Sequence, residues 1–129
     1  MKNLQKSIIG IMAILMLLGG SVTPINAGNV NNQGGSTNWN GGRFEWGLGF
    51  EPAYNLFRGN TIFTSRMRLI LHMEVQNRTT GAHIQTITRD STTNHQSTGG
   101  QFDRNRSAFG SHEARGTTSI GRHTFITRQ

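Results

Sequence analysis

The chain has no cysteine. No disulfide, thiolate nucleophile or cysteine-ligated metal is open to it, and no lipid-modified cysteine can follow a leader. Lysine is confined to Lys2 and Lys6, tyrosine to Tyr54, and proline to Pro24 and Pro52. Aspartate and glutamate together number six. One long apolar run exists, Ile8 to Leu18, and no second one follows. Core-building residues are scarce as well. Leu, Ile, Val and Phe supply nineteen of residues 28–129, close to the one-fifth level where order becomes doubtful. A small core and some unstructured chain are therefore expected. No internal repeat is visible, and no segment combines caps with helical periodicity over three turns.

The first 27 residues read as an export signal rather than as fold. Lys2 and Lys6 form a basic start, and the eleven-residue run Ile8 to Leu18 is short for a bilayer span. Small and helix-breaking residues follow up to Ala27, the expected cleavage position. The expected product is a free extracellular protein, residues 28–129, without stable membrane insertion. Eleven Arg then face the six acids, and every remaining fixed cation is an Arg. The guanidinium fork matches phosphate and carboxylate and stacks on rings, so an anionic partner is one reading. Codon bias and a soluble surface would give the same composition.

Apart from Val30, residues 28–38 are Gly, Asn, Gln, Ser and Thr without period, and are expected to form a disordered leader to a single domain over 39–129. Beyond them the period is two. Phe44, Trp46, Leu48 and Phe50 alternate with Arg43, Glu45, Gly47 and Gly49, which predicts a strand over about 43–50 with an apolar core face. Bare glycines on the other face allow close approach by another chain or ligand. Arg58-Gly59-Asn60 reads as a turn. Met67, Leu69, Leu71, Met73 and Val75 alternate with Arg66, Arg68, Ile70, His72, Glu74 and Gln76, predicting a second strand that ends at Asn77. With a loop over Arg78 to Gly81, Asn77 would face Ala82 and Val75 would face Ile84 in a third strand over about 82–89. Residues 90–101 are polar throughout and read as a long mobile connection, and 101–112 as irregular. Residues 114–120 read as a short strand, Gly121 as a turn and 123–128 as a terminal strand. The expected fold is all-β: a small antiparallel β-sandwich behind a cleaved N-terminal signal helix. Its exposed strand edges leave room for a homo-oligomer.

Candidate chemistry is sparse. His72, His83, His95, His112 and His123 lack pairwise ligand spacing and read as exposed histidines, so no metal and no cofactor is expected. No Ser sits in a nucleophile elbow. Glu74 as base, Arg66 or Arg68 as phosphate clamp and His123 as acid are the residue types of a small secreted ribonuclease. That enzyme reading asks for an N-terminal helix, and none is legible. Trp39 and Tyr54, with Arg43, Arg66 and Arg68, are the candidate binding residues, since rings beside Arg can take sugar faces and phosphates together. Arg66 and Arg68 equally describe the solvated side of a strand.

The stretch Gly42, Phe44, Trp46, Gly47, Gly49, followed by Ala53-Tyr54-Asn55-Leu56-Phe57, resembles the lactococcin 972 family of secreted bacteriocins. A cysteine-free chain behind a signal peptide shares that family's layout, as do the polar turns Asn77 to Gly81 and Gly121-Arg122. The chain departs from it in ending His123-Thr124-Phe125, where members carry a Tyr pair, and in the length of 90–101. The resemblance implies a non-enzymatic antibacterial β-sandwich that binds the cell-wall precursor lipid II and blocks septum formation. Its expected partner is a cell-wall precursor or another anionic envelope component, with no nucleic acid. The alternatives are a secreted, non-toxic binding or adhesion module and the small ribonuclease.

Overall fold

A computed structural model describes residues 32–129. The signal-peptide reading, the cleavage position Ala27 and residues 28–31 of the expected leader lie outside the described residues. The described chain is all-β, with six antiparallel strands: β1 Gln33–Trp39, β2 Gly42–Glu51, β3 Leu56–Asn77, β4 His83–Gln101, β5 Arg106–Arg115 and β6 Ser119–Arg128. A 3-10 turn over Pro52–Tyr54 joins β2 to β3, closed by Asn55 in the left-handed region at φ 54°. Among the described residues there is no α-helix.

The two longest strands shape the molecule. β3 has 22 residues and β4 has 19. The first part of β3 pairs with β2 on one side and with His95–Gln101 of β4 on the other. The second part pairs with β5 and with the start of β4. Between Ile62 and Met67 the β3–β4 register shifts, an irregularity that lets strands bend. The continuous sheet thus folds into two facing layers, a barrel-like sandwich. One layer is β1, β2 and the first part of β3 with the end of β4; the other is the start of β4, the second part of β3, β5 and β6. The Phe125 amide donates to Gln33 Oε1 at 2.8 Å, which ties β6 to β1 across the open side.

The interior contains two apolar clusters. Leu48, Phe50, Phe57, Leu71, Met73, Val75, Phe102, Ala108 and Ile126 form one. Phe44, Phe63, Leu69 and Ala114 form the other, with Trp39, Trp46, Met67 and Ile120 packed against it. The predicted core face of Phe44, Leu48 and Phe50 is buried, with Trp46 partly so. Between the clusters lies a polar layer. His112 of β5 is fully buried, with Nδ1 3.0 Å from both the Asn60 carbonyl and Thr61 Oγ1, and Nε2 2.9 Å from Thr124 Oγ1. A carbonyl only accepts, so Nδ1 carries the proton and Nε2 accepts from the Thr124 hydroxyl. Burial lowers the His112 pKa to about 3, opposed in part by the bond to Asn60 and assisted by the nearby His123. Gly110 makes the arrangement fit, because a Cβ there would collide with Thr124 Oγ1 and lie 2.8 Å from His112 Nε2.

Several expectations are corrected. Residues 33–38, read as part of a disordered leader, form β1 against β2. Gly34 and Gly35 allow it: a Cβ would stand 2.7 Å from the Trp46 carbonyl at the first and 2.9 Å from the Trp46 ring at the second. Arg58-Gly59-Asn60 is strand interior, where Gly59 makes room for Met73. Residues 90–101 are strand, and 106–115 are β5 rather than irregular chain. Gly121 lies inside β6. The Asn77 amide does bond the Ala82 carbonyl at 2.8 Å, but Val75 faces Gln85, because a register shift beside it leaves Ile84 unpaired and 40% exposed. His112, expected at the surface with the other histidines, is the polar centre of the core.

Candidate functional site

The expected binding residues do not form one surface. Trp39 and Arg43 sit at the β1–β2 hairpin. Trp39 packs edge-on against Phe63, with ring centroids 5.6 Å apart. Arg43 is held by Glu45 at 3.1 Å and by Ser36 Oγ at 2.6 Å. The Arg43 amide donates to Thr64 Oγ1, which brings the hairpin near Arg66. Arg66 and Arg68 do come together, both leaning onto β4. Arg66 donates to the Thr92 carbonyl at 3.0 Å. Arg68 makes two bonds to Asp90, at 2.9 and 2.8 Å. That hydrogen-bonded pair raises the Arg68 pKa and lowers that of Asp90. Tyr54, 72% exposed, stands at the far end of β2, roughly 30 Å from the Trp39 hairpin at the usual strand rise. The matched motif residues divide in the same way: Phe44 and Gly47 are buried, Gly49 meets Asn32, and Asn55 shapes the turn and accepts from Arg128.

A different cluster emerges on the outer face of the second layer. Alternation puts His72, Glu74 and Gln76 of β3 on that face, because Leu71, Met73 and Val75 point inward. Register then builds two rows across four strands. Thr88, His72, Ser111 and His123 form one row; Thr86, Glu74, Phe109 and Phe125 form the next. Between them is a shallow depression of about 320 Å³, lined by His72, Glu74, Gln76, Phe109, Gly110, Ser111 and His123. Phe109 is 39% exposed and packs against Phe125 with the rings tilted at 44° and their centroids 4.8 Å apart. Thr88 orients His72 through a 2.8 Å bond to its Nδ1.

Electrostatically the depression stands apart. Glu45, Glu51, Asp90, Asp103 and Glu113 each hold an Arg, at 2.7–3.3 Å. Among the described residues Glu74 is the carboxylate left without one, and its bonded neighbour is the Gln76 amide at 3.4 Å. No Arg lines the depression. Glu74 and His123, named as base and acid in the ribonuclease reading, thus meet here without the phosphate clamp. Arg68 is four residues from His72 along β3, about 13 Å at the usual strand rise, and is engaged by Asp90. Among the described residues no group of His, Asp or Glu is arranged to hold a metal ion.

His72 and Glu74 were visible as neighbours on one face of the second predicted strand. Phe109, Ser111 and the pairing of His123 beside them were not, since β5 carries no alternation that a sequence reading detects: Ala108, Gly110, His112 and Ala114 face inward. Comparison of the chain with protein-family models, with characterised proteins and with solved structures finds no match.

Proposed function

We propose that this is a secreted, bacteriocin-like protein that acts without catalysis on the envelope of related bacteria, by binding a cell-wall precursor of the lipid II kind and blocking wall or septum synthesis. The observation that carries the reading is the distribution of charge. Five Arg are neutralised by carboxylates, whereas Arg66, Arg78, Arg89, Arg104, Arg122 and Arg128 have none in ion-pair range among the described residues. Of these, Arg66, Arg78, Arg89 and Arg104 are exposed and can supply the bidentate donors that a pyrophosphate takes, whereas Arg128 is buried against Asn55 and the Phe102 carbonyl and Arg122 lies over the Trp46 ring. The sequence resemblance at 42–57 supports the same class of activity.

Within this reading Arg66 is the first residue to test. It is exposed, and its recorded bond is to a backbone carbonyl, so its charge is not cancelled. The purified protein, added to growing cultures of related bacteria, is expected to arrest septation, and added lipid II to relieve the arrest. Full activity in the presence of excess lipid II would sink the target. Surface binding without growth arrest would instead identify an adhesion module.

A further inference from the structure

We infer that the outer-face depression bounded by Glu74, Phe109 and His123 is a binding site for a neutral pyranose. The inference goes beyond the antibacterial reading and does not depend on it. A sugar ring has an apolar face of C–H groups and a rim of hydroxyls. Phe109 offers the matching flat apolar surface, held in place by Phe125 at 4.8 Å. Exposure of 39% for a Phe inside a strand is what a stacking platform requires.

The rim chemistry points to the same class. The Glu74 carboxylate accepts hydrogen bonds from hydroxyls, and no Arg competes for it. The Gln76 amide and Ser111 hydroxyl both donate and accept; the neutral His123 ring adds one donor and one acceptor, and His72, whose Nδ1 is taken by Thr88, adds its Nε2 alone. An anion is disfavoured here, because the fixed charge is negative and no guanidinium is present. A metal is disfavoured by the ligand arrangement among the described residues. The depression is open and shallow, which suits a ring approaching from solvent rather than a ligand that must be engulfed.

The test is a titration of the purified, 15N-labelled protein with chitobiose and cellobiose, followed by amide chemical shifts. Saturable shifts are expected at Phe109, Ser111 and His123, with none at Tyr54. Phe109→Ala should weaken binding by about tenfold, the scale of a lost aromatic stack. Glu74→Gln keeps the shape of a half-buried side chain and should weaken it less; it holds the test open should the first variant fail to fold. No saturable shift at those amides with either sugar would overturn the inference, as would the same shifts produced by choline or inorganic phosphate. Cleavage of RNA that is lost in Glu74→Gln would also overturn it, by making the cluster an acid–base site. Sugar binding lost while septation arrest persists separates the failure of this inference from that of the antibacterial one.

Discussion

Toward one end of the sandwich, Leu48, Phe50, Phe57, Val75 and Ile126 pack around Phe102, whose ring is fully buried. A short step along the same strands, His112 is equally buried but bonded to Asn60, Thr61 and Thr124. The first region is held by area removed from water, and its contacts tolerate small changes of angle. The second is held by directional bonds whose loss leaves buried donors and acceptors unmet. It also joins the layers, since Asn60 and Thr61 lie in one and His112 and Thr124 in the other. A thin hydrophobic inventory is thus divided by a polar layer that fixes how the two sheets meet.

Four measurements would break or sharpen that contrast. Phe102→Ala should have the largest effect, a loss of about 4 kcal/mol in denaturant unfolding, nearly the same at pH 5 and pH 7. His112→Leu should cost about 2 kcal/mol at pH 7, because the Asn60 carbonyl and two hydroxyls lose their partner. A loss as large as that of Phe102→Ala would show that the polar layer carries as much stability as the apolar cluster. Acid should act through the same residue. The folded His112 pKa, about 3, lies below the ordinary histidine value of 6.5, so between them the unfolded chain holds the extra proton. Its contribution is complete above pH 6.5 and falls by about 1.4 kcal/mol per pH unit as the pH drops toward 4. His112→Leu should remove that slope, and a slope unchanged in the variant would assign acid sensitivity elsewhere. Smallest of all, Asp90→Asn should leave the thermal midpoint within error, because the Arg68 pair is exposed on both sides.

The parts legible in the sequence were those where burial and period coincide. In β2 and in the second part of β3, alternate apolar residues face the core, so the pattern reveals the strand. The end of β4 has no such signal. Gln96 and Thr98 are its buried residues, and the ladder rests on backbone bonds that Ser, Thr, His and Gln provide as well as Val would. Gly59 and the pair Gly34-Gly35 misled for another reason. By sequence Gly59 reads as a turn and Gly34-Gly35 as unstructured chain, but here glycine admits a neighbouring side chain or strand. The candidate site was half legible for the same cause. Its β3 members follow from alternation, whereas Phe109 and His123 reach it through a register that the polar and small residues of β5 conceal.

The β3–β4 hairpin also sets the order in which this chain can be assembled. Asn77 and Ala82 are bonded across a short turn, and the ladder then runs outward along both strands. The longest pairing is therefore nucleated by the most local contact and can zip up at little cost in loop closure. β5 can add to its edge, and β6 to that of β5, each through a short connection. The bond from Phe125 to Gln33 joins residues 92 positions apart, so closure of β1 against β6 carries the largest entropic cost and belongs to the end of folding. The same seam should be the first to open, which makes β1 the segment where hydrogen exchange is fastest.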